Sequence, residues 1–364
     1  MRLLFVASDM HRGGAERHWA TLIPALAGRG AEVRLLCLND EGPLFDEVRA
    51  AGVPATCVRM GGRADTRGMR RALAEAGARP GAVVTRGVSP QLIGEAIARR
   101  AAAAHVLNEH TPVTVGGELL PPRPHQLALT RVVAPRVDRV IVVTARQAEP
   151  LARLGYRADR IVIVANGVFE ADVAVRADRG TVRRELGLGE RDFAVLCVAN
   201  LRPEKGVEAF VEAVERARER VPRLRGLVVG DGPQRTELER LVAERDGVRL
   251  LGSRGDVPDL MAASEAVCLL SEAEALPNSI LEAMALGRPV VTTDVGGTAE
   301  AVAHAETGLV VEAAGAAGAL ARLAAQPDWA RELGERGRTR QRERFSGEAM
   351  VDGYERTLAE VATR

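Results

Sequence analysis

Lysine is almost missing from this chain. Of its 50 basic residues, 49 are arginine and a single one, Lys205, is lysine. A chain that uses arginine elsewhere has kept a compact ammonium on a flexible stem at this position, and such a group is the usual point-charge partner of a phosphate. The sequence therefore predicts an anion site at Lys205. The alternative is that one lysine survived by chance.

Cysteine and long apolar runs are also scarce. The four cysteines, at positions 37, 57, 197 and 268, stand far apart without C-x-x-C spacing, which excludes a small disulfide-held scaffold and indicates reduced thiols. No apolar run approaches the ~18 residues that a membrane-spanning helix needs. The first apolar run, residues 3–7, is too short for a signal peptide. We therefore expect a cytoplasmic protein whose membrane contact, if it has one, is peripheral and at the inner face.

The charge is balanced overall but divided unevenly. The net charge is +1, yet residues 1–168 carry 23 arginines against 15 acids, while the remainder is acidic. A basic half can face phosphorylated substrates or anionic lipid, and the alternative is uneven solvated charge. The segment 119–136, with Arg131 and Arg136 among leucines and valines, either docks on a membrane surface or packs on its domain. We expect no nucleic-acid partner.

The composition and length indicate a folded protein of two domains. With 364 residues and 46% hydrophobic content, the chain is neither disordered nor fibrous. Short apolar runs alternate with amphipathic stretches, which predicts an α/β protein with two doubly wound parallel sheets. The predicted strands form two series: 3–8, 32–38, 54–60, 82–85, 105–108, 140–144 and 160–165, then 193–199, 225–230, 247–252, 266–270, 289–293 and 308–311.

The alternation of strands and helices is interrupted at residues 166–192, which we interpret as a linker. The predicted domains are 1–168 and 169–345, followed by a helical segment, 346–364, that returns to the first domain. Ligands of open parallel sheets bind at the carboxyl ends of the strands, so the two domains are expected to build one site in a cleft between them.

Two loops at strand ends of the first half carry candidate residues. Gly13 and Gly14 precede a helix and would let backbone amides approach a ligand, although a tight turn explains them equally well. His110 follows a predicted strand and could hydrogen-bond a substrate hydroxyl or exchange a proton. A structural role for this histidine is the alternative.

Lys205 lies in the corresponding loop of the second half. The segment from Asn200 through Arg202 to Lys205 lies between a strand and a helix, where backbone amides and basic side chains favour an anion. Gly230 and Gly232 follow the next strand and, because they have no side chains, would leave space at the bottom of the site. A simple turn is the alternative for that pair.

The richest segment precedes and enters a predicted helix. Glu274 lies in the loop, Leu276, Pro277, Asn278 and Ser279 lead into the helix, and Glu282 lies about one turn inside it. Carboxylates accept hydrogen bonds from sugar hydroxyls, and helix-end amides bind phosphate. A nucleotide sugar offers both kinds of group. The alternative is that these are surface acids at a helix start.

These segments resemble the retaining, nucleotide-sugar-dependent glycosyltransferases of family 4, which have the GT-B fold. Residues 274–300, EALPNSILEAMALGRPVVTTDVGGTAE, are similar to the family's E-x7-E region. Further family-like segments follow the family's order: GGAER, NEH, IVANGV, VANLRPEKG, VVGDGP and VRLLGSRGDVPDLMAAS. The resemblance spans about residues 1–345.

The resemblance implies roles for the candidate residues. Glu282 would hold the donor ribose, Glu274 the donor sugar hydroxyls and Lys205 the diphosphate. Asn200 stands where the family usually has an arginine, for which Arg202 is the nearest substitute. Among the others, Leu276 would narrow the sugar pocket, His110 would position the sugar, and Gly13 and Gly14 would let donor and acceptor approach.

The expected reaction is transfer of a hexose-type sugar, from a UDP rather than a GDP donor, to a hydroxyl of a glycan, lipid-linked saccharide or small metabolite. The resemblance implies that it would retain the anomeric configuration and need neither a cofactor nor a metal, and the residues agree, since no acidic or histidine cluster suggests a metal site. The alternatives are a catalytically idle sugar-nucleotide-binding module of the same fold and a nucleotide-sugar epimerase.

Overall fold

The computed structural model describes residues 1–11, 13–61, 65–77, 79–111, 114–115, 118–119, 124–243 and 245–362. These residues form two compact units. Unit 1 comprises the described parts of Met1–Val113, Leu119–Ala165 and Met350–Arg364, and unit 2 comprises those of Thr114–Glu118 and Asn166–Ala349. Within these ranges, no helix is both long and apolar enough to span a bilayer.

Strands and helices alternate along most of the chain. The strands are β1 (Arg2–Asp9), β2 (Glu32–Asp40), β3 (Ala55–Cys57), β4 (Ala82–Thr85), β5 (Ala104–Glu109), β6 (Thr114–Val115), β7 (Glu118–Leu119), β8 (Arg139–Val142), β9 (Ile161–Ile163), β10 (Phe193–Val198), β11 (Leu224–Val229), β12 (Val248–Leu250), β13 (Ala266–Leu269), β14 (Val290–Thr292) and β15 (Gly308–Val310). The helices are α1 (Gly14–Gly28), α2 (Pro43–Ala50), α3 (Thr66–Glu75), α4 (Val88–Ala101), α5 (Pro124–Val133), α6 (Ala148–Arg153), α7 (Arg179–Glu185), α8 (Val207–Arg218), α9 (Arg235–Ala243), α10 (Val257–Ala263), α11 (Asn278–Ala285), α12 (Thr298–Ala301), α13 (Ala316–Ala325), α14 (Pro327–Arg344) and α15 (Gly347–Ala362).

Unit 1 contains a parallel sheet with strand order β3-β2-β1-β4-β5-β8-β9. In β1, the side chains from Leu3 to Ala7 are all buried, as expected of a strand covered by helices on both faces. The chain builds β2 and β3 on one side of β1 and then returns to place β4 on its other side. This change of direction is the point at which doubly wound sheets bind ligands.

Unit 2 repeats the design with strand order β12-β11-β10-β13-β14-β15. The change of direction falls between β10 and β13, whose parallel pairing is direct. Loops that follow these two strands therefore meet at one edge of the sheet. The predicted fold class, two doubly wound parallel-sheet domains with helices at the C-terminus, is confirmed, and each predicted strand is found with small shifts at its ends.

The predicted linker is wrong. Residues 166–192 belong to unit 2 and contain α7, which packs against α10. Arg183 of α7 is buried because its guanidinium donates to the Ala263, Gly189 and Asp192 carbonyls and pairs with Glu265. A charge that is satisfied in this way can be part of a domain, so the charged composition of the segment did not indicate a linker.

The division into units also differs from the predicted boundaries. The chain passes from unit 1 to unit 2 between residues 165 and 166, not after 168, and returns to unit 1 at Met350 within α15. In the 119–136 segment, residues 120–123 lie outside the described residues. The cysteines are free thiols, as predicted, and three of them are buried.

Candidate functional site

Lys205 lies in the loop between β10 and α8, which a glycine holds against the neighbouring strand end. Gly206 has φ +62°, and a Cβ there would lie 1.9 Å from the Leu270 carbonyl oxygen. The Glu272 amide donates to the Glu204 carbonyl at 2.9 Å. These contacts bring the Lys205 loop and the Glu274 loop together at the carboxyl edge of the unit 2 sheet.

Lys205 and Glu274 form an ion pair. Lys205 Nζ donates to Glu274 Oε1 at 2.7 Å, and the Ser271 hydroxyl donates to the same oxygen at 2.9 Å. The Glu274 side chain is 8% exposed and that of Lys205 is 20% exposed. The sequence analysis gave the two residues separate ligand groups, whereas here each is the other's partner. The pair lets a carboxylate be buried at the site.

Gly296 and Gly297 fix the loop that carries Glu274. A Cβ on Gly296 would lie 1.9 Å from the Glu274 carbonyl oxygen, and the Gly297 amide donates to the Ala275 carbonyl. The Thr293 hydroxyl donates to the Ser271 carbonyl. The sequence analysis gave no role to these residues, although the motif DVGGT that contains the glycines was visible.

Helix α11 begins directly after this loop. Leu276 is buried, Pro277 is the N-cap residue, and Asn278 and Ser279 form the first half-buried residues of the helix. No side chain caps the helix start, and the Ile280 amide donates to the Pro277 carbonyl at 3.2 Å. The amides of Asn278 and Ser279 are therefore the candidates to meet an anion. Glu282 lies one turn further along and is half-buried.

The remaining predicted residues of unit 2 differ in what they contact. Gly230, with φ +143°, would place a Cβ 1.8 Å from the Ala199 carbonyl oxygen, and Gly232 would place one 2.5 Å from the Leu201 carbonyl oxygen. Both glycines therefore allow the backbone before Lys205 to approach. Asn200 and Arg202 are exposed, and the Arg202 guanidinium forms no ion pair with a described residue.

In unit 1, His110 is held by an amide whose orientation is fixed. Trp19 Nε1 donates to Asn108 Oδ1 at 2.6 Å, and His110 Nε2 lies 3.0 Å from the same oxygen. An indole N–H only donates, so this atom of Asn108 must be the oxygen, and His110 must carry its proton on Nε2. The other ring nitrogen, Nδ1, is then a hydrogen-bond acceptor.

Burial keeps this histidine neutral. Desolvation, with His18 and Arg86 nearby, holds the pKa of His110 well below its usual range. Burial also lowers the pKa of His18, whose ring lies 4.3 Å from that of His110, to about 3. Of the two roles considered for His110, hydrogen bonding therefore fits the geometry better than proton exchange at neutral pH.

Gly13 and Gly14 lie at the start of α1 as predicted, beside an arginine that the sequence analysis overlooked. Arg86 follows β4, pairs with Glu16 at 3.0 Å and lies over the Trp19 ring at 4.9 Å. A side chain on Gly13 would displace the Glu16 carboxylate, whereas the space beside Gly14 is open. The signal for Arg86 was its place at a strand end.

Within the described ranges, no three His, Cys, Asp or Glu side chains come together in the manner of metal ligands. Cys197 and Cys268 lie in β10 and β13, where burial raises the pKa of Cys197 to about 12.

Two doubly wound units with polar loops at their strand ends define a protein of the GT-B class, and comparison with known proteins agrees. Residues 12–171 match the family described as Glycosyltransferase Family 4, and residues 192–326 match that described as Glycosyl transferases group 1. Together these matches cover more than half of the chain. The chain belongs to glycosyltransferase family 4.

Individual relatives and structures are consistent with this placement. The N-acetyl-alpha-D-glucosaminyl L-malate synthase of Bacillus anthracis is 33% identical over 52% of this chain and 51% of its own length. The GDP-mannose-dependent alpha-(1-6)-phosphatidylinositol monomannoside mannosyltransferase of Mycobacterium tuberculosis is 29% identical over 93% of this chain and 92% of its own. The structure of Anabaena HepE in complex with UDP is 20% identical, has a TM-score of 0.86 and aligns over 99% of this chain and 100% of HepE. The match spans about half the length of several curated relatives.

Proposed function

We propose that this protein transfers a hexose-type sugar from a nucleotide-diphosphate sugar to an acceptor hydroxyl, with retention of the anomeric configuration. The observation that carries the proposal is the Lys205–Glu274 pair, which precedes the N-terminus of α11, where no side chain caps the helix, in a chain of family 4. The pair supplies a cation for a diphosphate and a carboxylate for sugar hydroxyls within one loop cluster.

On donor binding, Lys205 and Glu274 would each contact a different part of the ligand. The Lys205 ammonium turns to the diphosphate, while Glu274, still bonded to Ser271, accepts hydrogen bonds from sugar hydroxyls. Glu282 binds the ribose hydroxyls one helical turn away. Once it has turned, the ammonium lies next to the charge that develops on the leaving phosphate and stabilises it electrostatically.

The reaction exchanges one bond at the anomeric carbon for another. The bond from that carbon to the diphosphate oxygen breaks, and the acceptor oxygen bonds to the carbon from the same face. The acceptor proton passes to the departing phosphate oxygen. Lys205 and the α11 amides stabilise the leaving group, a task that a divalent metal performs in other transferases, so we propose that transfer needs no metal.

UDP is the proposed nucleotide of the donor. The HepE structure with UDP supports this choice, while the M. tuberculosis relative is named for GDP-mannose, so GDP is the competing outcome. The relatives' names include L-malate and a phosphatidylinositol mannoside as acceptors, and we propose an acceptor within the range from a small metabolite to a lipid-linked saccharide or glycan.

The test incubates the purified chain with UDP-glucose, UDP-N-acetylglucosamine and GDP-mannose, each with a panel of hydroxyl acceptors, and analyses products by mass spectrometry. A glycosylated acceptor with release of the nucleoside diphosphate supports the proposal. Tight donor binding without any turnover would instead indicate an idle binding module. A 2-epimer formed from the donor alone would indicate an epimerase.

A cytoplasmic location at the inner face of the membrane is a further part of the proposal. It is supported by the basic charge of residues 1–168, since anionic lipid attracts arginine-rich surfaces. Co-sedimentation with phosphatidylglycerol vesicles, but not with phosphatidylcholine vesicles, is the expected result. Equal recovery with both lipids would contradict it.

A further inference from the structure

Asn166 is a buried residue that the roles assigned so far do not use. It is the first residue of the main segment of unit 2, Asn166–Ala349, lies in the IVANGV segment and is 4% exposed. Its Nδ2 donates to the Leu276 carbonyl at 2.8 Å and to Asn278 Oδ1 at 3.1 Å. One side-chain amide therefore reaches both the loop before α11 and the first residue of that helix.

The hydrogen-bond chemistry fixes the orientation of both amides. A backbone carbonyl only accepts, so the atom of Asn166 that faces Leu276 must be the nitrogen. Its two N–H groups then serve Leu276 and Asn278. Because Asn278 meets a donor, it turns its own oxygen to Asn166, and its NH2 group points away from Asn166.

The Asn166 side chain donates two hydrogen bonds but accepts none from the described residues. Its Oδ1 is buried and has no hydrogen-bond partner in the described chain. Native proteins rarely leave a buried polar atom unsatisfied, and such atoms call for an explanation.

We propose that Asn166 is a positioning residue, which locks the Asn278 side-chain amide with its N–H groups toward the donor diphosphate. Asn278 then adds a fixed side-chain donor to the amides of the α11 N-terminus and to Lys205. This inference rests on the proposed function, because it requires a nucleoside diphosphate at α11.

A double-mutant cycle tests whether Asn166 acts through Asn278. The affinities of the parent, Asn166→Ala, Asn278→Ala and the double variant for UDP and for uridine are measured by calorimetry, with GDP and guanosine if the parent prefers GDP. Each single variant should bind UDP about tenfold more weakly, as expected for one lost hydrogen bond to a charged group, and uridine within twofold of the parent. The double variant should also lose about tenfold, since the second change removes a group that has already lost its function.

Gln341→Ala is the matched control. Gln341 is also a buried amide of unit 2 that donates to two carbonyls, those of Phe345 and Val168, but it does not contact α11's first residue. This variant should lose stability and keep its affinity for UDP. If Asn166→Ala does not fold, Asn166→Ser replaces it in the cycle. Asn278→Ala tests the ligand contact in either case, because it leaves the bond between Asn166 and Leu276 intact.

Several results would overturn the inference. A double variant about a hundredfold weaker than the parent would show that the two residues act independently. If the variants lost equal affinity for UDP and for uridine, the effect would not lie at the diphosphate. An unchanged UDP affinity in Asn278→Ala would show that Asn278 does not contact the ligand. If the parent binds neither UDP nor GDP, the proposed function fails first and this inference fails with it.

Discussion

Replacing Lys205 with methionine removes the cation of the proposed site and leaves its carboxylate without an ionic partner. Glu274 is 8% exposed and would keep only the Ser271 hydroxyl. Removing one member of a fully buried ion pair costs about 3–5 kcal/mol, and the partial exposure of Lys205 should reduce this cost to about 2–3 kcal/mol. The variant should therefore unfold at a lower urea concentration than the parent.

The effect on catalysis should be separate from this loss of stability. Without the ammonium, the leaving diphosphate loses electrostatic stabilisation of about 3 kcal/mol, which corresponds to a decrease in transfer rate of roughly a hundredfold. The double variant Lys205→Met/Glu274→Gln removes the unpaired charge, so it should recover stability without recovering activity. Both quantities are measured on the same preparations, by urea unfolding and by release of the nucleoside diphosphate.

Arg254→Ala is the control for the loss of an ion pair elsewhere in unit 2. Arg254 pairs with Asp256 and Glu185 at the surface, so its removal should cost at most about 1 kcal/mol and leave transfer unchanged. Turnover of Lys205→Met within threefold of the parent would refute the role given to Lys205. Recovered activity in the double variant would refute it as well.

Three further variants test other parts of the account. Glu282→Ala should weaken UDP binding by about 1.5–3 kcal/mol, because a carboxylate that accepts ribose hydroxyls is lost, and equal calorimetric affinities would reject this role. His18 has a pKa of about 3 in the folded protein, below its value of about 6.5 when unfolded, so the unfolded chain binds more protons and stability should fall as the pH drops from 6.5 towards 4. The decrease from this group approaches about 1.4 kcal/mol per pH unit, and His18→Gln should show a shallower dependence; parallel curves would contradict it. Gly206→Ala should lose more than about 2 kcal/mol of unfolding free energy, from backbone strain and collision with the Leu270 carbonyl. Gly255→Ala, where a Cβ would meet open space, should stay within about 0.5 kcal/mol of the parent. Equal urea midpoints for the two variants would exclude the clash.

The strands could be predicted because a parallel strand that is covered by helices on both faces consists of a short, continuous run of apolar residues. The β1 segment is an example, with five successive buried side chains from Leu3 to Ala7. The error at residues 166–192 has an equally physical cause. Two of the groups that satisfy Arg183, the Ala263 carbonyl and the Glu265 carboxylate, come from a distant part of the chain, so its burial cannot be read from local charge.

The sequence predicted the positions of the candidate residues in the unit 2 fold better than their mutual contacts. Lys205 and Glu274 were chosen for their chemical types and their positions after strands, and both lie at the carboxyl edge of the sheet. Their ion pair follows from the adjacency of β10 and β13, two strands that are far apart in the chain. The orientation of His110 depends in turn on Trp19, an interaction between separate elements that no local pattern records.

The central claim is that protein charge, rather than a metal, stabilises the leaving diphosphate, which leaves a phosphate oxygen free to accept the acceptor's proton on the same face. Proton NMR of the earliest product, recorded with and without excess EDTA, tests both parts through the coupling constant of the anomeric proton. The account predicts the donor's anomeric configuration and equal rates in the two samples. An inverted product, or activity that is lost to EDTA and restored by magnesium or manganese, would contradict it.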